Sequence, residues 1–211
     1  MRDYIIGGSL NLIKRDNPDY SDEKLEILEY GLTGLYIFIS KSVIIFTIAY
    51  FLGILKELII FMLIYNMIRS VSFGMHATSS TACLISSTIS FLSATYLCKN
   101  FVLPIGFKVV FGIISIIYMY LHSPADTEKR PIISPKRRLV YRILSTLIAI
   151  VMVVCSIILD DIFISNSFIV GLLIQCFMIS PFAYKITGQK YDNYKDYLNN
   201  WWFKFLFKHR Y

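Results

Sequence analysis

The sequence predicts an all-α fold, a polytopic membrane helical bundle of about six transmembrane helices with interfacial helices at its N- and C-terminal ends. Three observations predict it. The 211-residue chain is 56% hydrophobic and 17% charged, with a mean hydropathy of +0.60, and so has too little polar surface to coat a water-soluble globule. Several stretches approach the roughly 20 apolar residues a helix needs to cross a hydrocarbon core of about 30 Å. The ten-residue alternation of a membrane barrel is absent, and in lipid every backbone amide must pair internally, which leaves the helix. One integral domain is expected over residues 1–211, since no internal repeat or second domain is visible.

The elements follow in order. Met1 to Leu10 carries Asp3 and paired glycines and lacks a long apolar core, so it is expected to stay on the chain rather than be cleaved as a signal. Ser21 suits an N-cap and Asp22 and Glu23 the first turn, while Leu25, Leu28 and Leu32 share one face, the pattern of an N-terminal interfacial helix. Six spans are predicted: Leu32 to Leu55; a short, weaker Leu58 to Ile68; Thr78 to Leu97; Phe101 to Leu121; Leu139 to Leu159; and Ile162 to Phe182. A tight Cys98-Lys99-Asn100 connection joins the third to the fourth. In the tail, Tyr191, Tyr194, Leu198, Trp201, Trp202 and Phe205 recur at helical spacing among Lys195, Lys204 and Lys208, which describes a helix lying in the membrane interface.

Lysine and arginine set the orientation, because short loops that carry them stay on the cytoplasmic side. They collect in the loop after the fourth span, at Lys129, Arg130, Lys136, Arg137 and Arg138, and in the tail. Both termini are therefore expected in the cytoplasm of a multi-pass protein of the cell membrane, with Asp160-Asp161 as an outer turn. A net charge of +7 is compatible with nucleic acid, but the basic residues flank spans and sit among tyrosines and tryptophans. Anionic lipid is the expected partner, and nucleic acid is not.

Four cysteines, Cys83, Cys98, Cys155 and Cys176, are scattered through apolar stretches without the spacing of a disulfide framework or a metal site, so free thiols and no metal or cofactor are expected. Cys83 differs from the rest. It stands seven residues after His76, at a junction between spans that also holds Arg69 and Gly74. A thiol becomes a nucleophile as its thiolate and needs a base or positive charge nearby, which His76 supplies in sequence. Geometry sets a condition, since seven residues of straight helix advance about 10.5 Å and would keep the two side chains apart. Gly74 permits a turn, and Thr78, Ser79, Ser80 and Thr81 are able to cap a new helix. His76 is therefore expected on a folded-back connection, with Cys83 in the first turns of the next helix.

Arg69, Gly74, His76 and Cys83 together resemble the signature of the accessory gene regulator B family, membrane peptidases that process quorum-sensing propeptides in Gram-positive bacteria. Ser123-Pro124-Ala125-Asp126-Thr127-Glu128-Lys129-Arg130-Pro131 is similar to that family's Pro-Ala-Asp-Thr segment before a basic run. One departure stands out: the family commonly has paired glycines before the histidine, and here Phe73 precedes Gly74. The resemblance implies a cysteine endopeptidase, a hydrolase of the thiol protease class with Cys83 as nucleophile and His76 as base. It would cut the C-terminal region of a small propeptide of the accessory gene regulator D type through a thioester and promote its cyclisation to a thiolactone or lactone autoinducing peptide. It also implies a homodimer.

Supporting roles have double readings. Arg69 is either a positive charge beside the developing oxyanion or an anchor on phosphate head groups; backbone amides near Thr81 to Cys83 are alternative oxyanion donors. Asp126 either orients His76 or, the favoured reading, caps a turn after Pro124. Lys129 and Arg130 either fix topology or dock an acidic substrate segment. A second function class also stands. If Lys41, Lys108 and Gln175 line an aqueous path, the chain is a peptide or solute transporter without a bond-breaking step. In a third reading, Gly106, Gly112 and Ser115 serve close helix packing in a non-enzymatic assembly protein.

Overall fold

A computed structural model describes the backbone of residues 2–75, 79–128 and 131–199. Those residues form an all-α membrane helical bundle, and two compact units divide the chain, Met1–Gly53 and Ile54–Tyr211. In the first unit, α1 (Arg2–Asp16) precedes α2 (Asp22–Phe51). The Ser21 side chain accepts from Lys24 N and caps α2, with Asp22 and Glu23 in its first turn, as expected. Leu25, Leu28 and Leu32 are half-buried along one face. Nothing interrupts the backbone between that face and the apolar stretch beyond it, so one 30-residue helix of about 45 Å replaces an interfacial helix followed by a separate span.

The second unit holds α3 (Leu55–Ser72), α4 (Ser80–Asn100), α5 (Ile105–His122), α6 (Pro135–Ile158), α7 (Ile162–Met178) and two short helices, α8 (Pro181–Ile186) and α9 (Tyr194–Asn199). α2 to α7 correspond to the six predicted spans. Among the described residues, α2, α4, α5 and α6 are long and apolar enough to cross a bilayer on length and composition alone. α3 has the length but carries Lys56, Glu57 and Arg69, and α7 is apolar but has 17 residues, about 26 Å. The chain is a multi-pass membrane protein.

Three helix boundaries differ from the predicted ones. α4 runs through Asn100, so the connection to α5 is 101–104, ending at Pro104, rather than Cys98-Lys99-Asn100. α6 begins at Pro135, because Ser134 accepts from Arg137 N and proline suits a first helical position. α7 stops at Met178, since Ser180 and Pro181 open α8 instead.

α7 is the centre of this unit, packed by α3, α4, α5 and α6. Ile68 of α3, Met119 of α5, Ala149 and Met152 of α6, and Leu172 of α7 form the main buried cluster, closed by Ile179 and Tyr184. A Cβ on Gly112 would sit 2.7 Å from Val153 Cγ1, so that glycine does allow α5 to approach α6, while Gly106 has open space around it. At one end of the unit Asn166 donates to the carbonyls of Cys98 (3.2 Å) and Phe101 (2.6 Å), and Lys99 pairs with Glu57 at 2.7 Å. The opposite end carries the junction between α3 and α4.

Candidate active site

α3 ends abruptly. Phe73 N still donates to Arg69 O, but Phe73 then takes φ 55, ψ −128 and Gly74 φ 112, so the chain leaves the helix through two residues with positive φ. The expectation of a permissive turn at Gly74 holds, and it extends to Phe73. In the position where the resembling family has a first glycine, this chain has a phenylalanine in a backbone conformation that glycine favours. Its ring is held edge-on against Tyr141, with centroids 5.0 Å apart.

The turn is fastened from three directions. Arg69 folds forward and its guanidinium donates to Phe73 O (2.5 Å) and Met75 O (2.8 Å), with Gly74 O at 3.4 Å. The segment after α5 pairs with it as an isolated parallel bridge, Gly74 N donating to Ala125 O and Ala125 N to Ser72 O. The end of α7 supplies the third: Gln175 Nε2 donates to Ser72 Oγ and Phe73 O, both at 2.6 Å, and Met75 N donates to Met178 O. Gly74 has no room for a side chain, as a Cβ there would lie 2.7 Å from Arg69 Nη1 and 2.8 Å from Met178 O.

Met75 is thus held at its N–H by the Met178 carbonyl and at its own carbonyl by the Arg69 guanidinium. His76 follows it and lies outside the described residues, as do Ala77 and Thr78. Ser79 caps α4: its hydroxyl accepts from Ala82 N at 3.1 Å and its carbonyl from Cys83 N. Cys83 is therefore in the first turn of α4, half-buried, as the sequence predicts. Of the amides offered for an oxyanion, those of Ala82 and Cys83 already serve Ser79, which narrows that expectation to Thr81.

Asp126 is 3% exposed and does not stand free as a charge. Its carboxylate accepts from Asn193 N (3.0 Å), Tyr194 N (3.0 Å) and Ile132 N (3.3 Å), with Arg138 Nη1 at 3.5 Å. Burial pushes its carboxyl above the ordinary carboxylate range, while Arg138 and the three backbone donors pull it down. Tyr184 donates to Asp126 O at 2.7 Å, and Arg138 lies 3.4 Å over the Tyr194 ring. Asp126 joins the loop after α5 to the start of the tail, on the strand-like segment that also pairs with Gly74. Lys129, Arg130 and tail residues 200–211 lie outside the described residues.

Arg69, Gly74 and the Ala125-Asp126 segment are thus brought together, with Cys83 on the next helix. Sequence reading gave Arg69 an oxyanion or a head group; its observed partners are backbone carbonyls. Gln175 enters the sequence reading only through the transporter alternative, as one residue that could line an aqueous path. Its signal was a lone amide in an apolar helix, which in a bilayer points to a hydrogen bond across helices. Lys108 donates to Ser165 Oγ at 2.6 Å, at the other end of α7 from Gln175.

The model of the family described as Accessory gene regulator B matches residues 9–179. A Clostridium acetobutylicum protein named "Putative AgrB-like protein" is 28% identical over 170 residues, covering 81% of each chain. One of the same name from Listeria monocytogenes is 28% identical over 188 residues, 88% of this chain and 91% of that one. "Accessory gene regulator protein B" of Staphylococcus aureus is 28% identical over 174 residues, 81% of this chain and 89% of its own. No solved structure matches significantly.

Proposed function

The chain belongs to the accessory gene regulator B family, and from that premise we propose that it is a membrane cysteine endopeptidase acting on a quorum-sensing propeptide. The family's part is in autoinducer processing, and the residues here supply a chemical route. His76 takes the proton of the Cys83 thiol, and the sulfur attacks a peptide carbonyl toward the propeptide's C-terminal region. The carbon–sulfur bond forms, the carbon–nitrogen bond breaks, and the proton passes to the leaving amine. A thiol or hydroxyl within the bound peptide then displaces Cys83, giving a cyclic thiolactone or lactone and restoring the enzyme. Exclusion of water by the bilayer protects the acyl-enzyme from hydrolysis and lets the internal nucleophile compete.

One observation carries this reading: the turn before residue 76 is pinned at Met75 by Arg69 and Met178, and Cys83 lies in the first turn of the helix capped by Ser79. The three-residue link between those anchors contains the base. A helix N-terminus also favours the thiolate. Against a transport path, Gln175 is occupied with Ser72 and Phe73. Ten residues of α7, about 15 Å, separate Gln175 from Ser165, the partner of Lys108.

The same reading places both termini in the cytoplasm, the Lys129-Arg130 loop against an acidic segment of substrate, anionic lipid around the basic ends, and two copies in a homodimer. The decisive experiment co-expresses the chain with its propeptide and follows the products by mass. Cys83→Ala and His76→Ala should each leave the propeptide full length, and wild type should give a covalent adduct on Cys83 when trapped. Normal processing by either variant would overturn the peptidase assignment and favour a transporter.

A further inference from the structure

A buried amide in an apolar helix is expensive unless both its hydrogens find acceptors, and Gln175 is fully buried near the end of α7. Its two N–H groups reach Ser72 Oγ and Phe73 O, each at 2.6 Å. Ser72 Oγ in turn donates to Ile68 O at 2.7 Å, so its remaining lone pair suits the amide. Phe73 O also accepts from Arg69, so both lone pairs of this carbonyl are used, by donors on different helices. A carbonyl facing a double donor cannot rotate without losing both bonds. Phe73 is also the residue whose positive φ turns the chain out of α3.

Three residues further along α7, Met178 O accepts from Met75 N, and the same oxygen leaves no room for a Cβ on Gly74. One helical turn of α7 thus meets both ends of the Phe73–Met75 turn. We propose that Gln175 is a positioning residue of the peptidase, holding the Phe73 carbonyl so that the turn delivers His76 to Cys83. The inference rests on the assignment of those two residues as base and nucleophile. Gln175 touches neither of them and acts through the backbone between. A displacement of about 1 Å at a reacting group is able to cost on the order of 100-fold in rate, so loss of this one contact should be visible in the chemistry.

The test is Gln175→Leu, which keeps the volume, and Gln175→Glu, which keeps the shape but turns an oxygen toward Phe73 O. Each is purified in detergent, with matched thermal unfolding as the criterion of a folded bundle. Two quantities are read: single-turnover acylation by the propeptide, and the pH dependence of Cys83 alkylation by iodoacetamide, resolved at Cys83 by peptide mass. Acylation should fall about 10- to 100-fold with propeptide binding unchanged, and the alkylation profile should move toward that of the His76→Ala variant. A folded Gln175→Leu protein with wild-type acylation and an unmoved profile would overturn the inference. If Gln175→Leu does not fold, Gln175→Glu carries the same reading, with its alkylation profile as the deciding measurement. Full processing by His76→Ala would instead remove the catalytic assignment itself, so the two failures are told apart.

Discussion

The guanidinium of Arg69 donates to the carbonyl of Met75 at 2.8 Å, reaching six residues forward along its own chain to the last position before His76. The same group holds Phe73 O at 2.5 Å. Two carbonyls two residues apart need a planar fork of donors, which a lysine ammonium does not reproduce. Arg69→Lys should therefore keep the charge and lose the clamp, with processing down about 10-fold or more and membrane expression near wild type. Quantifying released product by mass against protein level checks this. Wild-type rate in Arg69→Lys would mean that charge alone is what the site uses.

Gly74→Ala should be more severe. Its φ of 112 is strained for any side chain, and the new methyl carbon would lie within 2.8 Å of both Arg69 Nη1 and the Met178 carbonyl. Backbone strain of about 1–3 kcal/mol adds to the clash. Loss of processing is expected, whereas Gly106→Ala, which meets open space inside a helix, should be neutral or slightly stabilising. Equal activity of the two variants in the same assay would remove the close packing of the turn from the account.

Phe73 offers the opposite experiment. Replacing it by glycine relieves a positive φ worth about 1–3 kcal/mol and gives up an aromatic contact with Tyr141 worth about 0.5–1.5 kcal/mol beyond area. Phe73→Gly should retain processing, because the carbonyl that Arg69 and Gln175 hold is still present. Phe73→Ala keeps the strain and loses the ring, and should be the weaker of the two in both thermal stability and rate. The reverse order would show that the site does not respond to the positive φ at this position, since both variants lack the ring.

These residues also mark how far the sequence could be read. Local chemistry was legible: Ser21 and Asp22 as the start of α2, a serine cap opening the helix of Cys83, and a glycine required between Arg69 and His76. The partners of the turn were not, since Gln175 and Phe73 are 102 residues apart in the chain and nothing in either neighbourhood names the other. The partners of Arg69 were hidden for a related reason. A cation at the end of a membrane helix suggests lipid or substrate, and only the departure of Phe73 from helical backbone exposes the carbonyls it serves.

Asp126 should act on order rather than on chemistry. Its carboxylate gathers N–H groups from Ile132, Asn193 and Tyr194 beside Arg138, and removing one partner of such a buried cluster costs about 3–5 kcal/mol. Asp126→Ala should expose the segment around Asn193 to limited proteolysis. The pH dependence has a definite sign. Burial raises the folded carboxyl above its unfolded value, so its contribution to stability is fully present below the unfolded value and is lost as pH rises through the raised one. Protection of that segment should fall across this window in wild type, and an Asp126→Asn protein should show no such slope. An unchanged slope in Asp126→Asn would assign the titration to another group.

Lys108 separates an enzyme from a conduit. It is 8% exposed, and its ammonium donates to the hydroxyl of Ser165, whose own hydroxyl donates to Ser156 O. Hydroxyl and carbonyl dipoles compensate a buried charge poorly, so an apolar side chain of similar length should fit at no loss and with some gain in stability. A transport path that used this cation would fail without it. The junction between α3 and α4, at the far end of α7, would not register the change. Lys108→Met should therefore process propeptide within about 2-fold of wild type, because among the described residues the two sites share no partner and they sit about 15 Å apart along the helix. Cys83→Ala, measured beside it, should be inactive. If Lys108→Met abolished product while a Cys83 adduct still formed, the lysine would belong to a step after acylation, and the far end of the unit would have to be counted as part of the machinery.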